Sequence, residues 1–291
     1  MIKILLIIVI AAVVVFSAFT AFEDETGKNY GGSNPLSSAP FLTLTANISN
    51  PSPQANFKYG YVSPNLWGIQ YHATGNAIMS AYSNSSLHFI ANFSSIQSGI
   101  VVIGYPSEHF VQTNSMSVLT AIKDNLSSFV SFSVKNINQG TGNDFAYDLF
   151  LGQGQTLQYE IMVMLLTGTK GIVVSPIASV YIPTTVNGTL TNIEWKMYNG
   201  LSSSGNFPEY EFIPSINMNG NMSYVVNISS FLSFLVNNGY VPSSSSIIRM
   251  GIGSEFGTGD GATSVYYSFW MYSYFILNGT KYQVVQPQEV L

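Results

Sequence analysis

The chain has 291 residues and a mass of 31.7 kDa, room for one large domain or two small ones. Only 8% of its residues are charged, and nine Lys and Arg against 14 Asp and Glu leave a formal net charge of -5, so no basic surface exists to track a nucleic-acid backbone. There is no Cys, which removes disulfides and thiolate metal sites, and the three His at 72, 88 and 109 lack the close spacing of a zinc site; neither a metal nor another cofactor is expected.

With 46% hydrophobic and 14% aromatic residues, the chain can bury enough apolar surface to offset its conformational entropy. The polar residues are chiefly Ser, Thr, Asn and Tyr, whose hydrogen bonding barely changes with pH. Such a surface suits an acidic environment, or equally a glycan-coated exterior indifferent to pH.

Lys3 precedes an apolar run over 4–22 that Glu23, Asp24 and Glu25 stop. Residues 1–26 therefore read as an export segment, either cleaved as a signal peptide or retained as a membrane anchor. Eight Asn-x-Ser/Thr triplets, starting at Asn47, Asn84, Asn92, Asn125, Asn187, Asn221, Asn227 and Asn278, agree with a secreted or surface-anchored protein. Residues 27–53, with Gly31-Gly32-Ser33 and several Pro and Ser, read as a tether. One folded domain is expected over 54–291.

Within that domain short apolar and aromatic runs recur at 87–93, 100–105, 128–134, 145–151, 157–166, 172–181 and 190–198, punctuated by Gly, Asn and Ser. Many short strands separated by turn signals predict an all-β antiparallel sandwich. One segment departs from this pattern: Ile228, Phe231, Leu232 and Leu235 follow a 3.6-residue period and Asn237-Asn238-Gly239 supplies a stop, predicting a single helix. The last strand, 265–277, holds seven aromatics. Its odd positions (Val265, Tyr267, Phe269, Met271, Phe275) should face the core, while Tyr266, Trp270, Tyr272 and Tyr274 either stack on a sugar or close a second layer.

Without Cys or a His cluster, catalysis falls to carboxylates. Glu160 lies inside the apolar strand 157–166, where an ionised group must be solvated by a cleft or partnered. Glu255 lies in Gly251-Ile252-Gly253-Ser254-Glu255-Phe256-Gly257, whose glycines let another backbone or a ligand approach closely. The runs 145–151 and 157–166 form a hairpin across the five-residue loop 152–156. If Leu151 pairs with Leu157, Asp148 stands opposite Glu160 with Cβ atoms about 4.5 to 5.5 Å apart, and one of the two carboxyls should hold a proton near neutral pH.

Other acidic and glycine-rich segments read as structural. Glu209 and Glu211 suit a solvated loop-to-strand edge or the rim of a binding site, and Asp124 and Asp144 suit turns. Ser107-Glu108-His109 lacks the glycines of a nucleophile elbow, and Gly257-Thr258-Gly259-Asp260-Gly261 lacks the Lys-Ser/Thr ending of a phosphate loop.

These segments carry a resemblance. Tyr159-Glu160-Ile161-Met162-Val163 resembles the nucleophile strand of glycoside hydrolase family 12, the small retaining endoglucanases built on a β-jelly roll, and Gly253-Ser254-Glu255-Phe256-Gly257 resembles that family's acid/base segment. Asn65-Leu66-Trp67-Gly68, Gly104-Tyr105-Pro106, Ala146-Tyr147-Asp148, the stretch 195–200 and the lone helix follow in the family's order. The likeness spans roughly residues 55 to 278.

The resemblance implies a two-sheet jelly roll with a concave groove and endo-acting retaining hydrolysis of a β-1,4-glucan by a monomer. Glu160 would be the nucleophile, Glu255 the acid/base and Asp148 the partner sharing a proton with Glu160. Trp67 would lie flat on a glucose ring, the alternative being an ordinary core tryptophan, with Asn65 on the same side of a strand bonding a hydroxyl and Met162 lining the substrate side. In retaining enzymes the two carboxyls stand about 5 to 5.5 Å apart. Two departures concern the subsites: Met164 stands where the family usually has Trp, and Pro176-Ile177-Ala178 where it commonly has Pro-Ile-Gly.

Competing readings are a non-catalytic surface sandwich that binds carbohydrate, and a hydrolase of xyloglucan or mixed-linkage β-glucan. The paired carboxylates argue for catalysis, since a binding module gains nothing from Asp148 beside Glu160.

Overall fold

Alternation of apolar and polar side chains builds most of this protein from strands, because a period of two turns one face of each strand toward a core. The computed structural model describes residues 39–69, 73–96, 102–111, 116–135, 143–167, 175–202, 204–216, 218–258 and 262–287. Residues 1–26, read from the sequence as an export segment, His72 and 259–261 lie outside them.

In chain order the elements are β1 (Leu42–Ala46), β2 (Ala55–Phe57), β3 (Gly60–Ser63), β4 (Thr74–Ala81), β5 (Leu87–Ser94), β6 (Ser107–Phe110), β7 (Met116–Ser117), α1 (Val118–Lys123), β8 (Ser127–Lys135), β9 (Asp144–Gln153) and β10 (Thr156–Thr167). They continue as β11 (Ala178–Val186), β12 (Thr189–Leu201), β13 (Pro208–Pro214), β14 (Asn221–Val226), α2 (Ile228–Asn237), β15 (Ser246–Glu255), β16 (Ser264–Leu277) and β17 (Thr280–Tyr282).

The strands form two layers of a jelly-roll sandwich. One runs β1-β4-β5-β16-β8-β14, with β17 folded back on β16. The other runs β2-β3-β6-β15-β9-β10-β13-β12-β11. Two residue pairs, Thr185 with Val225 and Val186 with Tyr224, stitch β11 to β14 along one edge. Among the described strands, β10 and β13 make the one parallel pair.

Between the layers lies an aromatic core. Phe145, Tyr147, Leu149 and Leu151 of β9, Ile161, Val163 and Leu165 of β10, and the odd residues Val265, Tyr267, Phe269, Met271 and Phe275 of β16 are all buried there, as the alternation predicts. Phe132 stacks on Phe145 at 4.1 Å and Phe110 on Phe275 at 4.8 Å between ring centroids, spacings at which aromatic pairs add to simple area burial. Helix α2 buries its predicted stripe, Phe231 packing edge-on against Trp195 at 5.0 Å. It begins at Asn227, whose side chain accepts the Ser230 N–H, and stops where Gly239 turns to φ +74.

The even face of β16 closes a second aromatic layer: Trp270 stacks on His88 at 3.9 Å and Tyr274 on Phe129 at 5.1 Å, while Tyr266 stays 50% exposed.

Several local expectations change. A second helix, α1, has six residues, too few to leave a periodic signal, and is announced only by its Ser117 cap. Residues 102–106 are irregular apart from one bridge, Gly104 with Phe256. Strand β1 lies inside the stretch read as a tether and pairs with β4.

The β9–β10 hairpin turns through two residues, Gly154 and Gln155, in place of five. Gly154 at φ +59 supplies the first central position of a primed turn, whose twist matches the strands. A bulge between Leu157 and Tyr159 then shifts the ladder once more. Asp148 consequently stands opposite Met162, and Glu160 opposite Phe150. Two one-residue slips preserve parity, so Asp148 and Glu160 still share a face as diagonal neighbours.

Candidate active site

The face of β9 and β10 turned away from the core holds the candidate carboxylates, and strand pairing arranges them in rows. One row crosses from β3 to β12 as Tyr61, His109, Gly251, Asp148, Met162, Glu211 and Tyr198. The next holds Arg249, Phe150, Glu160, Glu209 and Gly200. Glu255 pairs with Asp144 at the far end of β15. All three predicted carboxylates therefore lie on one face of one layer.

Glu160 is 7% exposed. Ser202, just after β12, donates its hydroxyl to Oε2 of Glu160, and Asp148 donates a hydrogen bond to the same carboxylate. Burial raises the Glu160 pKa, while those two donors and then the nearby Arg249 charge oppose the rise. For Asp148 burial acts first and the Glu160 charge second, both upward, so Asp148 holds the shared proton. Burial, then Glu160 and Glu211, lifts Glu255 to about 7. Glu255 thus feels the Glu160 charge and stays largely protonated below neutral pH.

The glycines of β15 act as the sequence suggested. A Cβ on Gly253 would sit 2.2 Å from the Pro106 carbonyl oxygen, and one on Gly251 would meet the His109 ring at 2.9 Å. Bare backbone there lets β6 and the 105–107 segment close over β15.

Asn65 and Trp67 lie in the irregular segment after β3, so they do not share a strand side as expected. Trp67 is 52% exposed, which rules out a core tryptophan. The segment is anchored by Tyr105 N–H to the Asn65 carbonyl at 3.0 Å and Gly68 N–H to Ile103 at 2.9 Å; Ile103 in turn bonds Phe256, next to Glu255. The Asn65 side chain accepts from Ser52 at 3.4 Å. Met162 is buried between Asp148 and Glu211 and packs with Met164, Ala146 and Ile213.

Several groups escaped the sequence reading. Glu209 and Glu211, expected on a solvated edge, stand beside Glu160 and Met162 because β13 runs parallel to β10. Burial, then Glu160 and Glu211, raises Glu209 to about 8, and Glu209 donates to Glu211. Asp144, expected in a turn, is buried in β9 and pushed up by burial and then by Glu255. Tyr105 donates its hydroxyl to the Ala146 carbonyl at 2.9 Å, close enough to the carboxylates to feel Asp148 and Glu255. His109 shares a 2.9 Å hydrogen bond with Ser107 and stacks on Tyr61 at 4.4 Å. Burial lowers its pKa to about 3, leaving it neutral. Among the described residues no group of three or more His, Asp and Glu is arranged to hold a metal ion.

The model of glycosyl hydrolase family 12 matches residues 58–276. The chain belongs to this family. Among solved structures, a family 12 xyloglucanase from Bacillus licheniformis superposes with a TM-score of 0.61 at 20% identity, covering 81% of this chain and 99% of the other. Endoglucanase 3 of Trichoderma harzianum gives 0.58 at 20% identity, with 82% and 99% covered. An endoglucanase of Rhodothermus marinus gives 0.53 at 15% identity, with 80% and 98% covered. No curated protein matches the chain by sequence. The family 12 match covers every site residue described above and makes the protein a glycosyl hydrolase.

Proposed function

We propose that the protein is an exported endo-acting β-1,4-glucanase that hydrolyses its substrate with retention through two glutamates. The convergence of Asp148, Glu160 and Glu255 on one face of one layer, with Asp148 hydrogen-bonded to a buried Glu160, is the observation that carries this reading.

Glu160 attacks the anomeric carbon and the bond to the leaving sugar breaks, while Glu255 gives its proton to the departing oxygen. Glu255, now a carboxylate, removes a proton from water, which displaces Glu160 from the glycosyl-enzyme and regenerates both groups. Asp148 keeps its proton on the nucleophile's flank, and Ser202 fixes the second oxygen. Trp67 offers an aromatic face to a glucose ring; Asn65 and Met162 complete the substrate wall.

Xyloglucan is the second substrate to assay, because one structure of the same fold comes from a xyloglucanase. The test is digestion of soluble β-1,4-glucan and xyloglucan by wild type, Glu160→Gln and Glu255→Gln, with NMR of the first-formed anomer. A β-anomer first, lost in both variants, supports the proposal. An α-anomer excludes retention, and undiminished activity in Glu160→Gln removes it from the mechanism.

A further inference from the structure

We infer that Arg249 is a positioning residue that keeps Glu160 in its charged, attacking form by holding a guanidinium over the intervening Phe150 ring and not by gripping the carboxylate. The inference rests on the glycosidase reading of Glu160 and extends it to a residue outside the motifs.

Arg249 is the chain's only arginine. It sits on β15 in the row Arg249, Phe150, Glu160, so one aromatic side chain separates it from the nucleophile. Its guanidinium lies 3.9 Å above the centre of the Phe150 ring, and its Nε is closed off from solvent without an acceptor. Such a ring contact supports a cation in a partly desolvated site. A bidentate Arg–carboxylate pair would instead engage both oxygens, one of which must attack. Held one ring away, the charge acts through a medium of low dielectric without blocking either oxygen.

The groups around it make a cation necessary. Glu160 and Glu209 share its row on β10 and β13, and Asp148 and Glu211 lie in the next row on β9 and β13, while Asp144 and Glu255 pair with each other at the far end of β15. Among the described residues, His109 on β6, Tyr61 on β3, Tyr105 and Tyr198 are further titratable groups on this face. His109 is neutral. Lys196 on β12 pairs with Ile213, two residues along β13 from Glu211, and so stands opposite neither glutamate of the Arg249 row. Among the described residues Arg249 alone brings fixed positive charge to the Asp148–Glu160 pair, and its field lowers both.

The experiment compares pH profiles of kcat/KM for wild type, Arg249→Lys and Arg249→Gln on soluble β-1,4-glucan, with melting temperatures alongside. In Arg249→Gln the acid limb should move up by about one pH unit, roughly a tenfold loss below it. The alkaline limb should stay in place, because Glu255 sits opposite Asp144 at the far end of β15 from Arg249. Arg249→Lys should restore most of the acid limb. An unmoved acid limb in a folded Arg249→Gln overturns the inference, as does an equal loss at every pH. Should Arg249→Gln not fold, Arg249→Met keeps the apolar stem and is read the same way. A carbon-13 titration of the Glu160 carboxyl reads the same displacement without turnover. If wild type hydrolyses nothing, the functional proposal fails while this titration still decides the role of Arg249.

Discussion

Asp148 donates a hydrogen bond to Glu160 although the strand register sets Met162 directly opposite it. The contact is diagonal across β9 and β10, within reach because a bulge bends β10 just before Glu160. An amide donates more weakly than a carboxylic acid, so Asp148→Asn should leave Glu160 harder to ionise. Its acid limb in kcat/KM should lie at higher pH than that of wild type. An acid limb identical to wild type would show that no proton is shared.

Glu255 carries a free-enzyme pKa of about 7, and a general acid works only while protonated. Activity should therefore fall about tenfold per pH unit above that value. Glu255→Gln should cost on the order of 10² to 10⁴ in rate and erase the alkaline limb. A limb that persists in the variant would assign it to another group.

Stability should be greatest on the acid side. Glu108 is 1% exposed in the core, where the Ser273 hydroxyl donates to it at 2.8 Å, and burial lifts its pKa to about 8. An unfolded Glu releases its proton near pH 4.5, so between 4.5 and 8 the fold binds a proton that the unfolded chain has lost. Stability is full below about 4.5 and falls as pH rises toward 8. Glu209, Glu255, Asp144, Asp148, Glu160 and Glu211 act in the same direction. His88, lowered to about 4, and His109, lowered to about 3, act oppositely as pH drops below about 6.5. Seven carboxyls outweigh two imidazoles. The melting temperature should rise on the order of 10 °C from pH 8 to pH 5, and Glu108→Gln should flatten part of that slope. A melting temperature higher at pH 8 would contradict this balance.

Gly253→Ala tests the close approach of the 105–107 segment to β15. A methyl 2.2 Å from the Pro106 carbonyl and 2.7 Å from the Ser107 Cβ forces backbone apart. The expected loss is at least about 1 to 3 kcal/mol by denaturant unfolding, with activity reduced because Glu255 lies two residues away. Wild-type stability in the variant would mean that β6 can move aside freely.

What the sequence determined by itself is which face each strand residue takes and which residue types are available for chemistry. Alternation within β9, β10 and β16, the period of α2 and the oddity of Glu160 in an apolar strand are local and survive any partner choice, and the ordered motifs extended them to a family. Only the tertiary structure decided who stands beside whom. The Asp148–Met162 register came from turn closure and a bulge, which backbone hydrogen bonding sets and side-chain pattern barely records. Glu209 and Glu211 reached Glu160 through a parallel pairing of strands far apart in sequence, and Arg249 through insertion of β15 between β6 and β9. Contacts between remote segments depend on which sheet edges meet, and that is settled by packing the whole core at once.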